Sequence, residues 1–370
     1  MVKTLEVALA VSCAGLVTSQ QTVTVGANAG DLAAAVAAAG PWDTLVLAFA
    51  ATYSAVTIDK PLSIVGSVGS YPQITSMAIV AGAIPGFVSL SRVSLWGISM
   101  QAPTTIEDCV ISYATAASTQ VSLHRCTIGS TTSMIGPNIF QGGVVRLTRC
   151  TIVGRDASWY SGGPIYCGTI PSSVALVATG CQLWLGDTVV LGGAGLFPPC
   201  FAPYYVPASP AIVGSGELHI SGGSIRCGIN SNGTFAVQWS GPFEHDPSTQ
   251  FIGSLSQHAP IFLPRTGGNG ALRGNSMSVN IVSLPSVPAV LAASLGMPSS
   301  TTWSQGTSWL DPNAFVLLTI GFTDGSGNLG AAIPVPSTAA RGLVITVQGA
   351  AVSGATGQLA AGVPVVLHVL

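Results

Sequence analysis

Apolar residues recur along this chain in one short pattern. An aliphatic residue is followed by two variable ones, a small or apolar residue, one more variable position and a second aliphatic. The pattern occurs at Ile74, Met77, Ile79; Leu90, Val93, Leu95; Ile106, Cys109, Ile111; Leu123, Cys126, Ile128; and Leu147, Cys150, Ile152. Weaker copies follow at Ala178, Cys181, Leu183; Ile220, Gly223, Ile225; and Leu272, Asn275, Met277. The last two apolar positions of each copy are two apart, the period of a strand, and the three-residue step before them implies a bend or bulge. Strands this short cannot enclose a core alone. Stacked on one another, they pair with their neighbours and add one side chain each to shared internal ladders, which is a solenoid.

Connections between copies lengthen along the chain, and each long one leaves just after the final aliphatic: after Ile128, Ile152, Leu183 and Ile225. In a stack these insertions emerge from one corner and cover one side, the usual place for a binding face. They carry Trp159, Tyr160, Tyr166, Tyr204, Tyr205 and Trp239, whose rings suit stacking on sugar faces. The plainer alternative is that the insertions pack on each other as a second small core.

Further along, strands are expected at 315–320, 342–347 and 363–370, separated by turn clusters such as Asp324-Gly325-Ser326-Gly327-Asn328. The expected organisation is a signal peptide at 1–19, the repeat at 20–282 and a small β-sandwich at 283–370. Residues 1–19 have Lys3, an apolar run from Val7 to Val17 and small residues at Val17-Thr18-Ser19, although Glu6 sits awkwardly in the run. The expectation is a secreted or cell-surface protein.

Composition narrows the picture. Only 6% of the 370 residues are charged, 48% are hydrophobic, and 11 basic residues face 13 acidic ones. Scattered basic residues cannot track phosphates, so nucleic-acid binding is excluded as a reading. No apolar run after the first twenty residues is long enough to span a membrane. Low charge suits a stack, because in-register neighbours about 5 Å apart would place like charges on one another.

The stretch from Gly30-Asp31-Leu32 to Ala39-Gly40, then Asp43-Thr44-Leu45-Val46-Leu47, Tyr53, and Thr57-Ile58-Asp59-Lys60-Pro61-Leu62-Ser63-Ile64-Val65-Gly66 resembles the N-terminal cap of the pectin-lyase-like superfamily. The Cys-Thr-Ile-x-Gly rung ending at Gly154 resembles that superfamily's coils. This likeness implies an all-β fold: a right-handed parallel β-helix with a short capping helix, for which Asp31 is the candidate N-cap. It implies nothing about activity.

Secreted β-helices often cleave polysaccharides, and the candidate catalytic carboxylates are Asp156, Asp187, Glu244 and Asp246, with Arg155 and His245 beside them. Glycoside hydrolysis needs two carboxylates facing one another, and the superfamily's lyases commonly add Ca²⁺. No active-site motif of its pectate lyases, polygalacturonases or pectin esterases is present, so solvated loop charges are the plainer reading. No other cofactor is expected. His219 and His258 lack partners at ligand spacing, so no metal site is expected. Asp108 is expected to lie beside Arg125 in the stack. Cys109, Cys126, Cys150 and Cys181 are expected to point inward at one repeat position, either as free buried thiols or bridged between neighbouring coils. Cys167 and Cys200 are the best disulfide candidates, with Cys227 unpaired. Two functions remain open: a surface or matrix protein contacting a polysaccharide or cell-surface glycan, and a polysaccharide lyase or glycoside hydrolase. Ice or mineral binding ranks behind them, since only Thr127 and Thr151 stand in register.

Overall fold

The computed structural model describes residues 20–67, 69, 71–129, 136–161, 167–196, 205–229, 235–257, 259–260, 263–296, 301–303, 306–311, 315–339, 343–353 and 357–369. The expected signal segment lies outside them. Among the described residues, apart from one helix, Asp31–Ala38, the regular structure is all β, in long parallel sheets followed by antiparallel ones.

The parallel part is built from a nine-stranded sheet and an eighteen-stranded one in which every pairing is parallel. In the nine-stranded sheet, Tyr53, Ile74, Leu95, Ile111, Ile128, Ile152, Val190, Ile225 and Phe251 stand in one register file. In the larger sheet Leu90, Ile106, Leu123, Leu147, Leu185 and Ile220 form another. Both files line one continuous apolar core.

Between the two files the chain turns a corner, which explains the three-residue step. Arg92, Asp108, Arg125, Arg149 and Asp187 have φ of 54°, 52°, 51°, 53° and 47°, and Gly222 takes the same place at 69°. A left-handed non-glycine residue costs about 1–2 kcal/mol. Each corner is held by a main-chain bond to the next coil, as in Arg125 N–H to Thr148 O (3.0 Å) and Arg149 N–H to Gly186 O (2.8 Å).

The residue after each corner points inward: Val93, Cys109, Cys126, Cys150, then Thr188. The three thiols are free, and each donates to the carbonyl two residues back at 3.2–3.4 Å. Thr188 Oγ1 makes the same bond, to Gly186 O at 3.0 Å.

Three copies read from the sequence need correction. Ile74 closes one coil rather than opening one, because it pairs with Leu95 while Met77 pairs with Ile98 in the other sheet. Cys181 pairs with Gly216 outside the thiol file, and the true copy is Leu185, Thr188, Val190. Met277 lies in Ser276–Val282, a strand that pairs antiparallel on both sides. Antiparallel pairing begins at Arg265–Gly268, earlier than the repeat pattern fades in the sequence.

The helix buries Leu32 and Val36 in the main core. Lys60 Nζ donates to Val36 O (3.1 Å) and Ala39 O (3.0 Å), filling carbonyls left open at the helix end. Asp31 is the first helical residue rather than the N-cap, which is Gly30; its carboxylate accepts from Asn28 N–H at 3.0 Å.

The C-terminal part holds a three-stranded and a five-stranded antiparallel sheet sharing a second core. Phe315–Phe322, Val344–Val352 and Val365–His368 occupy the three expected strand regions. Val365–His368 packs against Thr104–Glu107 and Gln120–His124 of the parallel part.

Candidate functional site

The outer face of the nine-stranded sheet carries no charge along its leading file, which runs Thr52, Gln73, Ser94, Val110, Thr127, Thr151, Val189, Ser224, Gln250. Alternation along the strand sends these side chains outward while the Ile file faces the core. At the early coils this face is hollowed into an open groove of about 300 Å³ lined by Thr52, Gln73, Ile74, Thr75, Ser94, Trp96 and Ser112. Trp96 is 62% exposed. It sits between Thr75 and Ser112, the positions directly after the strands Gln73–Ile74 and Val110–Ile111. The groove offers a flat apolar ring surrounded by hydroxyls and an amide, and no ionic partner.

The insertions of later coils leave one residue beyond that position, after Thr127–Gly129, Thr151–Val153, Val189–Leu191 and Ser224–Arg226. The third of these corrects the sequence reading, which placed the departure after Leu183. Described parts of these insertions are stitched to one another. Asp156 Oδ1 accepts from Ala194 N–H at 2.7 Å, and the Ser172 and Ser209 hydroxyls lie 2.7 Å apart.

Of the candidate aromatic residues, Tyr166 and Tyr204 lie outside the described residues. Trp159 and Tyr160 lie in the hairpin strand Ser158–Ser161, paired with Cys167–Ile170. Tyr205 is half-buried. Trp239 is not an insertion residue: it belongs to the strand Phe235–Ser240, is 7% exposed, and donates its indole N–H to Gly216 O at 3.0 Å. Of the disulfide candidates, Cys200 lies outside the described residues.

The four candidate carboxylates are each held by a separate partner. Asp156 joins two insertions as described. Asp187 sits at a corner and pairs with Arg265 at 2.7 Å. Glu244 is 2.9 Å from His219 Nδ1, and Glu217 is 3.9 Å from His219 Nε2. Asp246 accepts from Ser248 N–H at 2.9 Å and from the Ser248 hydroxyl, capping its own turn. His219, with no evident partner in the sequence, thus lies between two carboxylates and stacks on Trp184 at 3.9 Å. Burial lowers its pKa against the pull of Glu244 and Glu217.

The densest polar cluster is enclosed where the C-terminal strand meets the column. Glu107 is 0% exposed, His368 1% and His124 2%. Glu107 accepts from Arg125 Nη2 at 2.8 Å, and Arg125 Nε donates to Asp108 at 2.7 Å, the pair the stacking predicted. His124 Nδ1 meets Thr148 Oγ1 at 2.8 Å and its Nε2 faces Gly268 O at 3.2 Å. Burial pushes the Glu107 carboxyl up, but the hydrogen bond and charge of His368, with His124 and Arg125, outweigh it and hold the group below its usual value. With Glu107, His124 and His368 closed to solvent, this cluster joins the C-terminal strand to the parallel part.

Sequence reasoning missed Trp96 and the groove, since a single Trp in an ordinary run gives no signal until its coil neighbours are known. Among the described residues no group of three or more His, Cys, Asp or Glu is placed to hold a metal ion, and no helix is long and apolar enough to cross a membrane. No protein-family model matches the chain, and no curated protein matches it.

Proposed function

We propose that the chain is a secreted right-handed parallel β-helix of the pectin-lyase-like type with a C-terminal β-sandwich. In this reading it is a surface or matrix protein that holds a neutral glycan on the outer face of its nine-stranded sheet. One observation carries the functional part: Trp96, 62% exposed, stands in a groove otherwise lined mainly by uncharged polar side chains. An indole face buries the apolar side of a sugar ring, while hydroxyls and an amide exchange hydrogen bonds with its rim. The insertions of later coils leave from the ends of strands in this same sheet. The fold reading is supported by the parallel register files, the left-handed corners and the Lys60 bond that gives the cap motif its logic.

Calorimetric titration against soluble neutral polysaccharides tests it, with xyloglucan, mixed-linkage β-glucan and arabinoxylan as probes. Trp96→Ala is expected to weaken binding by roughly tenfold or more, the loss of about 1.4 kcal/mol, with an unchanged melting temperature. Binding by none of the probes, or equal binding by the variant, overturns the proposal.

A second reading, cleavage of an extracellular polysaccharide, is favoured by the placing of His219 between Glu217 and Glu244. Ca²⁺ would enter only in a lyase. New reducing ends or unsaturated products that vanish in Glu244→Gln would establish it; intact polysaccharide after incubation would remove it.

A further inference from the structure

The face of the eighteen-stranded sheet that meets the C-terminal part carries Ser122, Arg146, Trp184 and His219 in one outward register file. Arg146 is 0% exposed, and its guanidinium carbon lies 3.8 Å from the centre of the Trp309 ring. Trp184 meets Trp309 edge-on, with centroids 5.6 Å apart. Val363 and Val144 complete the apolar wall.

The hydrogen-bond count at this junction does not balance. Arg146 Nε, Nη1 and Nη2, Trp184 Nε1 and Trp309 Nε1 are all buried and have no hydrogen-bond partner among the described residues. Every one of these atoms is a donor, and none of the three side chains offers an acceptor. The acids on the surrounding corners and strands are engaged elsewhere: Glu107 and Asp108 with Arg125, Asp187 with Arg265, Glu217 and Glu244 with His219. Burial pulls the Arg146 pKa down to about 9, so the group still carries its charge at neutral pH. The Trp309 face compensates part of that charge, but an enclosed cation without a counter-charge remains strongly destabilising.

We propose that this junction binds a small monovalent anion of halide size, held by the Arg146 guanidinium and the Trp184 and Trp309 indole N–H groups. One negative charge matches the one uncompensated positive charge. A halide accepts hydrogen bonds from several directions and asks for none in return, as an all-donor site with valine walls requires. Because Trp309 comes from the C-terminal part and Arg146 from the column, the bound ion would fasten one to the other.

Bromide is the probe. Crystals of the full chain soaked in sodium bromide are expected to show an anomalous peak within hydrogen-bond reach of Arg146 and at least one of the two indole nitrogens. Peaks elsewhere only, or water at this position, overturn the proposal. In solution, replacing gluconate by bromide at constant ionic strength is expected to raise the melting temperature of the wild type by a few degrees, because a ligand of the folded state stabilises it. Arg146→Met is expected to abolish that rise; no rise in the wild type, or an equal rise in the variant, counts against the site. Should Arg146→Met fail to fold, Trp184→Phe keeps a ring and removes one donor. It is expected to weaken the bromide dependence, and an unchanged dependence overturns the assignment.

Discussion

Glu107 and His368 are joined twice: the His368 main-chain N–H and its ring Nδ1 each lie 2.6 Å from Glu107 Oε2. Both side chains are sealed from water, and the same carboxylate takes Arg125 on its other oxygen. Removing one member of such a buried pair leaves the others uncompensated. Glu107→Ala is therefore expected to cost about 3–5 kcal/mol, read as a lower urea midpoint. A variant as stable as the wild type would show that this cluster does not fasten the two parts.

Acid should loosen the same junction. In an unfolded chain a histidine takes up its proton near pH 6.5, whereas burial, opposed by Glu107, pulls His124 down to about 4. The unfolded state therefore binds the proton first. The contribution of neutral His124 is complete above about pH 6.5 and fades toward about pH 4, by up to roughly 3 kcal/mol. Glu107, held below its usual value, acts in the same direction: its share is full above the unfolded carboxylate pKa and is lost as pH falls through the folded one. Urea midpoints measured across this range should fall steadily with pH, and His124→Gln should flatten the upper part. A flat wild-type profile would contradict the assignment.

The thiol file makes a chemical prediction. Cys109, Cys126 and Cys150 are each 1% exposed. Burial raises the Cys109 and Cys150 thiols, with the Cys126 contact adding to it. Thiolates are the reactive form, so Cys109 and Cys150 resist a thiol reagent by both protonation and enclosure. Cys126, whose thiol burial pushes up but the Cys109 and Cys150 contacts pull down further, is shielded by enclosure alone. All three should stay unlabelled in the native protein and react on unfolding. Counting labelled sites by mass spectrometry before and after denaturant tests this; rapid native labelling of Cys126 would place the file at the surface.

The corners predict an unusual tolerance. Arg149 has φ 53° and its Nη1 donates to Gly268 O at 3.3 Å. Arg149→Val puts a branched side chain in a conformation it strongly avoids and should cost about 1–3 kcal/mol. Arg149→Gly loses a hydrogen bond worth about 1 kcal/mol but relieves a similar backbone penalty, so it should be nearly neutral. Equal destabilisation by the two variants would assign the role of Arg149 to its side chain alone.

These relationships were unequally readable in the amino-acid order. The copies ending at Ile111, Ile128 and Ile152 were legible because each places Cys one residue after a corner and Ile two residues later. Ile74 was read out of phase because Met77 and Ile79 repeat the same apolar spacing from the following strand. Cys181 drew attention by its identity, whereas the equivalent residue, Thr188, fills the place with different chemistry and the same bond to a carbonyl. Trp96 became informative only when the coils on either side supplied Thr75 and Ser112. Glu107 and His368 are 261 residues apart, and no local pattern connects them.

That separation bears on how the molecule is assembled. Coil-to-coil pairings join neighbours in sequence and can form one after another as the chain emerges from the ribosome, at a small loop-closure penalty. The clasp on Glu107 waits for Val365–His368, 261 residues further along at His368. Until then the Glu107 carboxylate and the Arg146 guanidinium face solvent, so the early coils are born with one flank unfinished, and a ribosome stalled before Val365 would release a stack that is formed but unclasped.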